Sequence, residues 1–128
     1  MRILLVDDND LVRSAIRGLL RKEANWEICG EASNGSQACE KTRELQPDLI
    51  LLDNNMPGVT GFQTARLIRQ ENAHVTILIL SQEDAIQILP TALQSGANGC
   101  VDKSRMSTDL ISTLKKVQSE RGERFPAN

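Results

Sequence analysis

Four short aliphatic runs in this chain stop abruptly at side chains that carry a charge or a hydroxyl. Ile3-Leu4-Leu5-Val6 gives way to Asp7 and Asp8, and Leu49-Ile50-Leu51-Leu52 gives way to Asp53. Residues 75–80 end at Ser81, and residues 100–102 lead into Lys103. Such runs, without polar alternation, are the pattern of strands buried on both faces, which a parallel sheet covered by helices on each side provides. The predicted strands are β1 (2–6), β2 (26–32), β3 (49–52, closing at Asp53), β4 (75–80, closing at Ser81) and β5 (100–102). Between them apolar residues recur at helical spacing. Val12, Ala15, Ile16 and Leu19 follow the candidate caps Asn9 and Asp10 and predict α1, ending near Glu23. Ala38, Thr42 and Leu45 predict α2, stopped by Pro47, and residues 62–70 predict α3. Residues 85–95 predict α4, kinked, shortened or started by Pro90. Leu110, Ile111, Leu114 and Val117 predict α5, capped by Ser107. Right-handed crossovers turn five strands alternating with five helices into a doubly wound α/β sheet with helices on both faces. In such sheets ligands bind beyond the carboxyl ends of the strands, where the polar residues fall.

A length of 128 residues fits one domain with its own core, here 1–120, followed by a polar tail or linker start at 121–128, with fraying expected from Ser119. Only Trp26, Phe62 and Phe125 are aromatic, so the core must be aliphatic and platforms for stacking bases are not expected. A net charge of −2 gives no broad basic field, which argues against direct nucleic-acid binding. Cys29, Cys39 and Cys100 are an odd number without a CxxC pair, so reduced thiols packed as small buried apolar groups are expected, not disulfides or zinc. The opening apolar run is too short for a signal peptide or membrane span, and a cytoplasmic location without membrane contact is expected.

In a doubly wound sheet Asp7, Asp8, Asp53, Ser81 and Lys103 form one cluster. Three converging carboxylates repel one another, and a hard cation with oxygen ligands, Mg²⁺, offsets that repulsion. An ammonium and a hydroxyl beside it suit an anionic phosphoryl group. Singly, each residue has an ordinary use: Asp7 and Asp8 in a capping turn, Asp53 and Lys103 as surface charges, Ser81 as a helix cap. Their joint placement at the strand ends favours the cluster. His74, at the start of β4, lies at the other end of the sheet and reads as a surface residue, while Met56 and Phe62 read as packing residues.

In order and spacing, several segments resemble the receiver domains of bacterial two-component response regulators. They are Leu5-Val6-Asp7-Asp8-Asn9, Leu51-Leu52-Asp53, Met56-Pro57-Gly58, Gly61, Ser81, Gly96-Ala97-Asn98-Gly99 and Lys103. The resemblance implies a flavodoxin-like sheet of order 2-1-3-4-5 in which Asp53 accepts a phosphoryl group from a phosphohistidine on a sensor histidine kinase or phosphotransfer protein. It implies that Asp8, Asp53 and the backbone carbonyl of Asn55 bind Mg²⁺, with Asp7 acting through a water. Lys103 and Ser81 would contact the phosphoryl oxygens, and the face of α4, β5 and α5 would carry the output. Such a chain is a phosphoacceptor signalling domain whose only chemistry is performed on itself. The segment 96–103 resembles receivers that precede helix-turn-helix output domains, which implies transcription regulation and allows a homodimer.

The family pattern has Tyr or Phe where Cys100 stands, and a small residue where Gln82 follows Ser81. Pro90 adds a third departure, and with Cys100 it falls on the expected output face. These departures keep a phosphorylation-independent interaction module as the alternative. A phosphatase of the haloacid dehalogenase type wants a second aspartate where Asn55 stands, and a flavodoxin-like carrier wants a phosphate-cradling Ser, Thr and Gly set after β1 that is missing here.

Overall fold

The computed structural model describes residues 1–124, with side chains through Glu120. Its strands are β1 (Arg2–Val6), β2 (Glu27–Ala32), β3 (Leu49–Asp53), β4 (Thr76–Ser81) and β5 (Gly99–Asp102). Its helices are α1 (Asp10–Leu20), α2 (Gly35–Leu45), α3 (Gly61–Glu71), α4 (Ala85–Gln94) and α5 (Met106–Arg124). All strand pairs are parallel, in the order β2-β1-β3-β4-β5. Because successive strand side chains point to opposite faces, each aliphatic run feeds two cores. Leu4, Val6, Ile50, Leu52, Ile77 and Ile79 pack under α2, α3 and α4 through Ala38, Ala65, Ile68, Ile88 and Ala92. Ile3, Leu5, Leu49, Leu51, Leu78 and Leu80 pack under α1 and α5 through Ile16, Leu20, Leu110 and Leu114. No helix among the described residues is long and apolar enough to cross a membrane.

The register brings the carboxyl ends of the central strands into line. Val6 pairs with Leu52, Asp53 with Leu80, and Ser81 with Asp102, so the residues that close each run meet at one edge. At the opposite edge Arg69 clamps α3 to the turn before β5. Its guanidinium donates to the carbonyls of Gly96, Val75 and Asn72 at 2.9, 2.6 and 3.2 Å, and to Asn98 Oδ1 at 3.0 Å. Gly96 has a φ of 100°, a conformation that suits glycine and lets the turn close on Arg69.

Several boundaries differ from the sequence expectation. Helix α1 ends at Leu20, not near Glu23, because Glu23 N–H bonds back only three residues, to Leu20 O at 3.0 Å, in a tighter turn that starts the path to β2. Ala15 is exposed, and the packing face of α1 is Val12, Ile16, Leu19 and Leu20. Trp26 precedes β2 and donates from Nε1 to Gln118 Oε1 at 3.2 Å. Helix α4 runs unbroken through Pro90; the Ile86 residue, whose carbonyl Pro90 cannot serve, is exposed, so water can take that bond. Ser107 does not cap α5. Asp102 Oδ1 accepts from Ser104 N–H at 2.9 Å and opens a 3₁₀ turn, Lys103–Arg105, that leads straight into α5. Helix α5 continues past Ser119 to Arg124. The rest of the expected 121–128 tail, residues 125–128 with Phe125, lies outside the described residues. The three cysteines are half-buried, not buried, while Met56 is buried and Phe62 packs on the core, as expected.

Two glycine substitutions should separate steric necessity from mere tolerance. A Cβ on Gly61 would lie 2.6 Å from the carbonyl oxygen of Asp53 and 2.7 Å from Asn54 Cα, both rigid backbone. Gly61→Ala is expected to lower stability by about 1–3 kcal/mol. Gly18, on the exposed side of α1, meets nothing within 4 Å. Gly18→Ala is expected to raise stability by about 0.5–1 kcal/mol. Urea unfolding midpoints read both; a neutral Gly61→Ala would refute the steric argument.

Candidate functional site

The polar residues that terminate the strands meet in a cleft of about 510 Å³ lined by Asp7, Asp8, Asp53, Asn55, Gln82 and Lys103, with Leu11 at its lip. Leu11 is 81% exposed although apolar. Asp7 and Asp53 are buried and Asp8 is exposed, and one carboxylate oxygen of each lies within 4.8 Å of the others. Lys103 Nζ sits between the buried pair, 2.8 Å from Asp53 Oδ1 and 3.2 Å from Asp7 Oδ2. The contact to Asp53 is the shorter of the two ion pairs, and Asp7 Oδ2 has no hydrogen-bond donor.

Local backbone turns hold these side chains in place. Asp53 Oδ1 accepts from Asn55 N–H at 2.9 Å and Asp7 Oδ1 from Asn9 N–H at 2.9 Å, each a carboxylate folded onto its own loop. Asn9 then caps α1 by accepting from Leu11 and Val12 N–H at 2.8 and 3.2 Å. Asn54 Oδ1 accepts from Phe62 N–H at 3.2 Å and ties the start of α3 to the residue after Asp53. Burial pushes the Asp7 carboxyl above its ordinary range, and the negative charge of Asp53 adds to that against the Asn9 amide and Lys103. Burial works against the Lys103 ammonium, but its hydrogen bond to Asp53 and the charges of Asp53 and Asp7 outweigh burial and raise its pKa.

The residues singled out from sequence divide into two sets. Asp7, Asp8, Asp53, Asn55 and Lys103 come together in the cleft. Ser81 is fully buried and stands off the cleft wall, its Oγ accepting from Glu83 N–H at 3.0 Å. His74 is exposed at the other end of β4. Sequence reasoning gave Asn55 only a backbone role. Its side chain also joins two loops, Oδ1 accepting from Gln82 N–H at 3.2 Å. Cys100 Sγ donates to Ala85 O at 3.2 Å and so links β5 to the first residue of α4, and burial raises its thiol pKa. Arg13 was missed, although an arginine one turn behind a helix cap leans back toward that cap.

The donor set suits a hard divalent cation. Three carboxylates offer only oxygen, and one buried carboxylate oxygen, Asp7 Oδ2, lacks a hydrogen bond. Mg²⁺ takes such ligands and keeps part of its own water.

The model of the response regulator receiver domain matches residues 3–115. The nitrate/nitrite response regulator protein NarL of Escherichia coli (strain K12) is 37% identical over 115 residues, covering 90% of this chain and 53% of that protein. Response regulator UvrY of the same strain is 33% identical over 128 residues, covering 100% of this chain and 58% of that protein. The crystal structure of a LuxR-family two-component response regulator from Aurantimonas sp. SI85-9A1 superposes with a TM-score of 0.88 at 31% identity, covering 94% of this chain and 86% of that one. The chain spans about half the length of the curated relatives it matches.

The raised pKa of Asp7 has a consequence for stability. A carboxyl harder to ionise in the folded state than in the unfolded one withdraws stability as pH climbs from its ordinary 3.8 through the raised value, and the loss is complete above it. Asp7→Asn removes that loss. In metal-free solution the variant should need more urea to unfold than the parent at neutral pH, with the gap closing toward about pH 4. Equal midpoints at neutral pH would contradict it.

Proposed function

Because the chain belongs to the response regulator receiver domain family, we propose that its cleft receives a phosphoryl group on Asp53 from a phosphohistidine of a sensor histidine kinase or phosphotransfer protein. The observation that carries this reading is the single ammonium of Lys103 shared by two buried carboxylates, with a third carboxylate in reach. Such a site can hold an anionic group by charge. A carboxylate oxygen of Asp53 attacks phosphorus; the O–P bond forms as the P–N bond of the phosphohistidine breaks, and the imidazole nitrogen keeps the electron pair. Both contacts to Lys103 and to Asn55 N–H use Oδ1, which leaves Oδ2 as the attacking oxygen. Lys103, with its ammonium stabilised by the two carboxylates, meets the phosphoryl oxygens at neutral pH.

Asp8, Asp53 and the backbone carbonyl of Asn55 would hold Mg²⁺, with Asp7 acting through a water. The bound ion supplies positive charge against the phosphoryl oxygens. Ser81 Oγ accepts from Glu83 N–H and keeps its hydroxyl proton to donate to a phosphoryl oxygen. Its movement toward that oxygen is the local event that biases the face of α4, β5 and α5. Gln82 and Asn55, joined across the cleft, restrict the approach of water to the acyl phosphate. Regulation of transcription through a helix-turn-helix output domain, and a homodimer of the switched form, belong to the same reading.

One observation favours a second reading. Cys100 already fastens β5 to the start of α4, which suits an interaction module that works without phosphate. Intact-protein mass spectrometry after incubation with acetyl phosphate separates the two. A Mg²⁺-dependent gain of one phosphoryl group, lost in Asp53→Asn, is expected. No gain under any condition favours the second reading, and a gain that survives Asp53→Asn puts the acceptor elsewhere.

A further inference from the structure

Arg13 stands on the second turn of α1, but its guanidinium reaches back to the carboxyl end of β1. Nη1 donates to the main-chain carbonyl of Asp7 at 2.5 Å, and Nη2 pairs with the Asp10 carboxylate. Nε lies 3.1 Å from Glu31 Oε1 without being aligned to donate. The side chain is 16% exposed, so this is a built contact and not a surface charge at rest. Glu31 has a better partner in Arg17, whose Nη1 donates to both carboxylate oxygens at 2.6 and 2.8 Å. The interactions that Arg13 makes alone are therefore those with the acidic turn at residues 7–10.

That turn carries two of the three carboxylates that lie within 4.8 Å of one another. Asp7 N–H is fixed by Ala32 O at 3.0 Å and the Asp7 carboxylate by Asn9 N–H. The Asp7 carbonyl belongs to the peptide that leads into Asp8, and Arg13 is what holds it. Fixing that peptide sets the direction in which Asp8, itself exposed, presents its carboxylate. We propose that Arg13 is a positioning residue for the divalent-cation site, locking the Asp7–Asp8 peptide so that both carboxylates face the cleft. The inference rests on the metal-site reading given above and adds to it a residue outside the ligand set.

Charge and positioning predict opposite signs. As a cation near a cation site, Arg13 by charge alone weakens Mg²⁺ binding, so its removal should tighten it. As a positioning residue its removal should loosen binding, by about tenfold or more, the usual effect of losing a group that orients a ligand. Lys keeps the charge but cannot supply the two-pronged fork that spans the Asp7 carbonyl and Asp10. Calorimetric titration with Mg²⁺ alone, on the 128-residue chain and on Arg13→Met, Arg13→Lys and Arg17→Met, tests this. Both Arg13 variants are expected to bind about tenfold more weakly and Arg17→Met as the parent does, with far-ultraviolet circular dichroism matching throughout. Should Arg13→Met fail to fold, Arg13→Lys carries the test. Parental or tighter affinity in either folded Arg13 variant overturns the proposal. So does an equal loss in Arg17→Met, which would mean a general loosening of α1. A parent chain that binds no Mg²⁺ overturns the metal-site reading itself and the proposal with it, an outcome distinct from the other two.

Discussion

Two carboxylates buried side by side need a counter-charge, and Lys103 provides it between Asp53 and Asp7. Removing the ammonium would cost about 3–5 kcal/mol, because both buried carboxylates would be left without compensation. The arrangement is held by one ammonium where there are three acids, and a further positive charge is the natural addition. The parallel register serves this interaction: Asp7 follows β1, Asp53 ends β3 and Lys103 follows β5, so three separate strands deliver the three groups to one edge.

Much of this was legible in the residues. Uninterrupted aliphatic runs located β1, β3 and β4 to within a residue, because burial on both faces leaves no room for polar alternation. The polar residue after each run then located the cleft. Less legible was anything decided by a hydrogen bond formed in three dimensions. Ser107 looked like the cap of α5, but Asp102 lies earlier and opens a 3₁₀ turn first. Pro90 looked like a boundary, but its helix position is exposed and solvent can serve the freed carbonyl. Nothing in the sequence announced that Ser81 Oγ accepts from Glu83 N–H. Arg13 and the side chain of Asn55 act on partners that no spacing in the sequence announces.

The departures from the family pattern sit where the cleft meets the α4 side of the molecule. The half-buried thiol of Cys100 bonds the first carbonyl of α4, where the family pattern has an aromatic ring. Gln82 lines the cleft, with its amide held by Asn55. Both features tie loops together through backbone groups, and so constrain the same junction between β4, α4 and β5. The receiver scaffold is kept intact beneath them, with its two aliphatic cores undisturbed.

Helix α4 carries no ionisable side chain along its ten residues, while Ile86, Leu89 and Leu93 are exposed on it. A displacement of this helix moves no formal charge through the field of the cleft. Apart from the Asp84 cap and the partial charges at the helix ends, it changes chiefly how much hydrocarbon meets water. Apolar exposure answers to temperature and to excluded cosolutes, whereas screening by simple salt acts on charges. The exposed apolar face of this helix therefore answers to temperature more than to ionic strength, although the helix lies beside a cleft lined by carboxylates and an ammonium.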